Sequence, residues 1–596
     1  MKNTYNTIHK RYNTQLHKLK RTDNLIRFLR MLIFLYLLGF SVFLYKSNQF
    51  NFLLINFFIC IAIFLFLVSR NQDIINKIEY FKRILSTVDT ELKKLDNNFD
   101  YSTINAERFA DNEHLYTSDL DIFETNGLFS RINRAKTQSG KALLANRLKQ
   151  LCTDSTELKE RQEAIQELSG NKIEWSICFI ASINEEIISS SEIAESNFWK
   201  NILYYKHISK ITLRVLAIFN LSGIVLVANK MLPNYIALLL ILFNIILHYS
   251  FFRKRKEIAI KIIAFKNYFE RYLEMLKILD KETFNASKIK YLKNSIAQNE
   301  TSFIAGFNNF SKTVNALEST IKNPFVGLLN TLFYTDIWYL KTIEKWNKEH
   351  KNSLIKSVQI INEIEVLISY ALFYNINKHY TFPIFIEDNI FKLEAKNLGH
   401  PLLLSDKCVT NNLSISENNL FIITGANMAG KSTFLRTVGI NIVLALNGLP
   451  VFADAFIIKP TLLFTSMRAT DSLDKSNSYF LSEVKRLQKL IEELNQGRKY
   501  FIILDEILMG TNSDDKLLGS TLFTEKIISY KKVTGLLATH DIPLTKLQEK
   551  YPEIISNYKF EAEILSDKNI IYDYKLKKGV VTKMNAIHLM KTLDII

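Results

Sequence analysis

The sequence predicts a chain of the α plus α/β class, helical over roughly its first two thirds and closed by a phosphate-loop α/β domain from residue 384 to 596. Three observations predict this. A G-x-x-x-x-G-K-[ST] pattern runs from Gly425 to Ser432 between a short apolar strand and a helix start. Turn-forming residues are concentrated late: no proline precedes Pro233, and ten of 17 glycines and five of eight prolines lie from Gly399 onward. Four long apolar runs stand in two pairs, which reads as two helical membrane hairpins.

Residues 1–30 form a basic tail, with Lys2, Lys10, Arg11, Lys18, Lys20, Arg21, Arg27 and Arg30 against one acid, Asp23. The first hairpin occupies 31–70. Its arms are Met31–Tyr45 and Phe52–Val68, turning around Lys46-Ser47-Asn48-Gln49. A second hairpin, 211–252, pairs Ile211–Ala228 with Tyr235–Phe252. The flanks carry Arg70, Lys77, Lys206, Lys210 and Arg253 to Lys256, whereas the outer loops carry only Lys46 and Lys230. By the positive-inside rule both hairpins start and end in the cytoplasm, which predicts a multi-pass protein of the cytoplasmic membrane with four spans. A secretory signal peptide does not fit, because a second span follows at once.

Residues 71–108 read as a helical connector, and 109–383 as further helix. The four cysteines, Cys60, Cys152, Cys178 and Cys408, are scattered, with no metal spacing and no disulfide framework. The net charge of +17 is largely accounted for by the basic clusters flanking the apolar runs, so it carries little weight as a sign of nucleic acid.

The last domain contains the chemistry. Leu420–Ile423 reads as a buried strand, and Thr433–Val438 as the start of a helix. In that setting Gly425, Ala426, Asn427, Met428, Ala429, Gly430, Lys431, Ser432 and Thr433 would wrap a nucleotide triphosphate. Backbone N–H groups and the helix N-terminus face the phosphates, Lys431 reaches the outer ones, and the Ser432 hydroxyl faces Mg²⁺. Tyr500–Leu504 is an apolar strand ending in Asp505 and Glu506. Asp505 would share the Mg²⁺ shell with Ser432, and Glu506 would act on the attacking water. A third strand, Val533–Ala538, ends in Thr539-His540, which places His540 where ligands bind in parallel sheets and where it could sense the γ-phosphate. ATP and Mg²⁺ are therefore the expected cofactors of an ATPase.

These segments resemble the MutS family, the DNA mismatch-repair ATPases. TGANMAGKSTFLR (Thr424–Arg436), Phe464–Asp471 with Ser478–Glu483, LDEILMGTNSDD (Leu504–Asp515) and Ala538-Thr539-His540 follow that family's motifs in order. His400-Pro401-Leu402-Leu403 and Asn411-Asn412 match its entry into the ATPase domain. More weakly, Ser118–Phe123, Gly127–Phe129, Ala135–Lys141 and Glu160–Ile165 resemble its core, and Glu363–Leu367 and Tyr380–Pro383 the return from its lever. The resemblance implies a helical core/lever region over 109–383, containing the second hairpin, before a C-terminal P-loop (ABC-like) ATPase domain. It also implies a homodimer with composite sites, in which Ser478 contacts the nucleotide of the other subunit in trans. The chain departs from the pattern at Ala426, where proline is usual, at Ser476-Asn477 before Ser478, and at Leu508-Met509, where Gly-Arg is usual. The last two departures bear on the trans contact and turnover, not on the nucleotide fold.

The family's mismatch wedge, Phe-x-Glu in an N-terminal domain, has no counterpart: Phe385-Ile386-Glu387 and Phe523-Thr524-Glu525 both fall at or inside the ATPase domain. Two functions are therefore expected. One is a membrane-anchored MutS-like ATPase that binds double-stranded or branched DNA. The other is a MutS-type engine driving a membrane or protein-assembly process without DNA. An ABC transporter is disfavoured, because no Leu-Ser-Gly-Gly-Gln-like segment occurs.

Overall fold

The computed structural model describes residues 1–46, 50–183, 210–387, 390–404, 406–426, 429–467, 479–509, 512–565 and 569–581. The chain folds into two compact units, one of Met1–Arg134, Leu144–Ser182 and Leu367–Ile596, the other of Ala135–Leu143 and Ile183–Val366.

In the first unit, α1 (Lys2–Lys46) and α2 (Phe50–Leu95) pack along one another. Each helix changes character along its length. Tyr5, Ile8, Leu16, Ile78, Ile84 and Val88 are buried, whereas Leu32, Phe34, Leu35, Phe58, Leu65 and Phe66 are exposed. A helix α6 (Ile173–Ser182) lies on α2, with Tyr80 Oη donating to the Cys178 carbonyl at 3.1 Å and Arg83 Nε to that of Ala181 at 2.9 Å. Before it come α3 (Leu128–Ile132), α4 (Gln138–Lys149) and α5 (Ser155–Ser169), the last capped by the Asp154 side chain on the Thr156 N–H.

The second unit is helical. It contains α7 (Lys210–Ala228), α8 (Asn234–Lys281), α9 (Ser287–Lys322), α10 (Pro324–Phe333) and the first part of α11 (Thr335–Ile376). Phe265, Phe269, Tyr272, Phe307, Phe310 and Trp346 form its aromatic core, with Phe310 stacked on Trp346 at 4.3 Å.

Four membrane spans were expected. Among the described residues two helices are long and apolar enough to cross a membrane, within Ile55–Leu95 and over Ile211–Ala228. The shortfall falls on the partner arms. The arms Met31–Tyr45 and Tyr235–Phe252 both include residues whose side chains lie outside those described. Both arms nevertheless expose large apolar side chains, among them Phe43 and Leu238.

The α/β domain of the first unit has two sheets. A four-stranded sheet, in the order β1-β5-β2-β3, comprises β1 (Ile384–Phe385), β5 (Ala455–Ile458), β2 (Lys392–Leu398) and β3 (Asn411–Ser416). A six-stranded sheet, β10-β9-β4-β8-β7-β6, holds β4 (Leu420–Gly425), β6 (Leu462–Ser466), β7 (Tyr500–Asp505), β8 (Val533–Thr539), β9 (Ile555–Leu565) and β10 (Asn569–Lys578). All its pairings are parallel except β9 with β10. Strands β4 and β8 are buried on both faces and read as continuous apolar runs for that reason. The helices α12 (Lys431–Ala445), α13 (Tyr479–Asn495) and α14 (Ser513–Ser529) connect the strands.

The segment before α3 packs on this domain. The Thr465 N–H donates to the Leu115 carbonyl at 2.9 Å, Arg486 Nη2 pairs with Asp119 at 2.8 Å, and Arg436 with Asp121 at 3.4 Å.

Candidate nucleotide-binding site

Strand order assembles the site. β4, β8 and β7 are neighbours, and their register pairs Thr424 with Thr539 and Asp505 with Ala538. The three carboxyl ends therefore bring Gly425, His540 and Asp505-Glu506 to one crevice, the usual place for ligands in an open parallel sheet.

The loop after β4 approaches its neighbours closely. A Cβ on Gly425 would stand 2.9 Å from the Phe560 carbonyl. Gly430 has φ +104°, a left-handed conformation that favours glycine, and caps α12. Lys431 is therefore the first residue of α12 and is buried. Its Nζ donates to the carbonyls of Gly425 at 2.9 Å and Ala426 at 3.3 Å, and lies 3.1 Å from His540 Nε2. Burial pushes its pKa down, opposed by the charges of Glu506 and Asp505.

Asp505 sits deeper. Burial raises its pKa, and a hydrogen bond from Ser432 opposes the rise. Its Oδ1 is buried with no hydrogen-bond partner among the described residues. A buried carboxylate oxygen without a partner, beside a serine hydroxyl, fits a divalent cation such as Mg²⁺, whose ligands are oxygens. Glu506 has φ 49°, uncommon for a non-glycine residue, and its N–H still closes the ladder to the Ala538 carbonyl at 3.0 Å. This turn swings its carboxylate back across the strand ends, where Oε1 meets His540 Nε2 at 2.7 Å. That bond, more than burial opposes it, holds the Glu506 pKa below the usual carboxylate value. His540 Nε2 thus faces an ammonium and a carboxylate together: protonated it donates to Glu506, and unprotonated it accepts from Lys431.

Sequence reasoning assigned no role to two residues that shape the site. Glu483, buried on α13, accepts the N–H groups of Leu508 and Met509, the latter at 3.2 Å, and so fixes the turn after Glu506. An acid one turn into an otherwise amphipathic helix was the available signal. Tyr574, from the antiparallel edge strand, lays its ring 3.0 Å from where a Gly430 Cβ would be. No sequence signal tied it to the loop. Beside the loop a cavity of about 440 Å³ is lined by His400, Val409, Asn411, Ser432, Thr433 and Tyr574. Ala429, within the loop, is buried. Asn427, Met428 and the expected trans residue Ser478 lie outside the described residues.

Residues 421–595 match the family described as MutS domain V. Among similar proteins, the DNA mismatch repair protein MutS of Thermotoga sp. (strain RQ2) is 32% identical over 256 residues, 42% of this chain and 31% of the relative. That of Thermotoga petrophila is 30% identical over 349 residues, 58% of this chain and 41% of the relative. MutS protein homolog 4 of Homo sapiens is 29% identical over 248 residues, 40% of this chain and 25% of the relative. The chain thus spans well under half of the length of these relatives. The 349-residue match is longer than the 384–596 domain, so it includes helical sequence upstream.

Proposed function

Because the chain belongs to the MutS family through its C-terminal domain, we propose that it is a Mg²⁺-dependent, membrane-anchored ATPase that acts on DNA as a dimer. The convergence of Lys431, Ser432, Asp505, Glu506 and His540 at three adjacent strand ends is the observation that carries the ATPase reading. Lys431 and the α12 N-terminus hold the phosphates, and Ser432 and Asp505 hold Mg²⁺, which neutralises phosphate charge when bound. Glu506 orients the attacking water and takes its proton. His540 links that carboxylate to Lys431, so a change in charge at the outer phosphate reaches the base. Ser478 of a second subunit completes the site in trans.

The two apolar hairpins anchor the chain in the cytoplasmic membrane, with both termini and the ATPase domain in the cytoplasm. DNA, double-stranded or branched, is the proposed partner, on the strength of mismatch-repair relatives that share sequence beyond the ATPase domain. The test is ATP turnover by the detergent-solubilised protein with no DNA, homoduplex, mismatched and branched DNA. Stimulation by one form, with binding that weakens steeply as salt rises, is expected. Turnover indifferent to every DNA, with no binding at low salt, would sink the DNA reading and leave an engine for a membrane or assembly process.

A further inference from the structure

Two asparagines interrupt the apolar runs of the second hairpin near their midpoints, Asn220 on α7 and Asn244 on α8, and both are almost fully buried. Their amides bond reciprocally, each Nδ2 donating to the other's Oδ1 at 3.0 Å. Two further groups join them from outside the hairpin. Asn220 Nδ2 also donates to the Leu332 carbonyl at 2.8 Å, and Tyr334 Oη donates to Asn244 Oδ1 at 2.7 Å. Leu332 and Tyr334 bracket the end of α10, which therefore reaches the middle of both apolar runs.

The sequence Pro324–Phe333, PFVGLLNTLF, contains no charged residue. Asn323 caps its start through the Phe325 N–H at 3.0 Å, and Tyr334, left-handed at φ 52°, ends it. Its buried side carries Asn330, whose Oδ1 accepts the Asp336 N–H at 2.9 Å and caps α11. Its other side is bare: Phe325 is 84% exposed and Leu329, one turn on, 52%. On the hairpin itself Phe219, Leu221, Leu239 and Phe243 are likewise exposed. Six residues before Asn220, Arg214 lies over the Trp338 ring at 5.4 Å, so the one cation of α7 beyond Lys210 has an aromatic partner.

We propose that α10 is a third membrane-embedded element, a short re-entrant helix whose Phe325 and Leu329 face lipid acyl chains. A clasp of Asn220, Asn244, Tyr334 and the Leu332 carbonyl holds it at the hairpin's mid-depth. The inference rests on the membrane reading of the second hairpin. Polar groups at that depth have no water to bond, so two mid-span amides require partners, and α10 brings them. Irregular backbone on either side of α10 is tolerated there only where protein satisfies it, as the Asn323 and Asn330 side chains do.

The test measures depth in the full chain, with Cys60, Cys152, Cys178 and Cys408 changed to serine, in phosphatidylethanolamine–phosphatidylglycerol vesicles. Nitroxides are placed singly through Val225→Cys, Phe325→Cys and Leu329→Cys, and their collisions with oxygen and with a water-soluble nickel chelate are compared. Val225 is the control, exposed on α7. Collisions favouring oxygen at all three positions are expected. Oxygen at Val225 with nickel at Phe325 and Leu329 overturns the re-entrant helix while leaving the hairpin inserted. Nickel at all three overturns the membrane reading and this proposal with it. Spin–spin broadening at Phe325 with both agents excluded assigns the face to a second copy of the chain and overturns the lipid assignment. Asn244→Leu is expected to shift Phe325 toward nickel, and an unchanged depth overturns the clasp. If that variant does not insert, the depth of Phe325 in the chain with Asn244 intact decides the proposal.

Discussion

Glu506 and His540 end neighbouring parallel strands and meet at 2.7 Å, while the same His540 nitrogen lies 3.1 Å from Lys431. The base expected to act on water and the lysine expected to hold phosphate thus share one imidazole. Changing any of the three alters the other two, so single substitutions should be read through this chain of contacts.

Glu506→Gln should retain ATP binding and lose turnover by about 10²–10⁴-fold, because an amide takes no proton. Lys431→Ala should lose nucleotide affinity instead. Equilibrium binding of a fluorescent ATP analogue, measured beside phosphate release, separates the two. Undiminished binding by Lys431→Ala would remove that residue from the site.

Glu483→Ala should lower turnover with little change in ATP affinity, since it frees the turn after Glu506 without touching the phosphate loop. Glu483→Gln should recover only part of the loss, because its single carbonyl oxygen replaces two acceptors. An affinity loss as large as the turnover loss would place Glu483 elsewhere in the mechanism.

The His400 imidazole is pushed down to about 4 from the ordinary 6.5, by burial first and then by Arg436 and Arg131. Its Nδ1 accepts the Leu402 N–H at 3.2 Å, which also favours the neutral ring. A histidine depressed in the fold contributes stability that is complete above the unfolded value. That stability is lost as pH falls through the window from about 6.5 to about 4, because only the unfolded chain takes up the proton. The melting temperature of the nucleotide-free protein should fall across that window by an amount corresponding to up to about 3 kcal/mol. His400→Gln should flatten the decline, and an identical slope in both proteins would refute the assignment.

Glu91 on α2 is buried and takes both Arg134 Nε at 3.1 Å and Nη2 at 3.0 Å, with Lys94 at 3.4 Å. Burial raises the pKa of its carboxyl, but Arg134 and Lys94 more than offset that and leave it lowered. Glu91→Gln should cost about 3–5 kcal/mol, because it removes the carboxylate that balances two buried cations. Glu91→Leu with Arg134→Met should recover much of that, as apolar groups of similar size often replace a buried pair at little cost. Chemical denaturation of the wild type, Glu91→Gln and the double variant checks both statements.

Ser478→Arg and Lys431→Ala should each be inactive alone, yet regain part of the ATPase activity when mixed, if sites form between subunits. A mixture as inactive as its parents, with subunit exchange demonstrated, would make each site self-sufficient and leave Ser478 as a helix cap.

The phosphate loop, the Asp505-Glu506 pair and His540 were legible in the sequence because each rests on local chemistry. A glycine-rich turn before a lysine, and acids closing an apolar strand, need no distant partner to be recognised. The apolar runs were legible for the same reason, since continuous hydrophobicity is a property of the segment. Of the four expected spans the structure carries two among its described residues, and the arms Met31–Tyr45 and Tyr235–Phe252 include side chains outside them. What only the tertiary structure decided is which distant groups meet. The β4-β8-β7 order places His540 between Lys431 and Glu506, and Glu483 finds the Leu508 and Met509 amides across 25 and 26 residues. Tyr574 reaches Gly430 from an edge strand, and Asn220 and Asn244 pair across the hairpin before taking Tyr334 from 90 residues beyond Asn244. A hydrogen bond or ring contact acts over a few ångströms of space, so chain order alone leaves these meetings open until the packing of strands and helices fixes them.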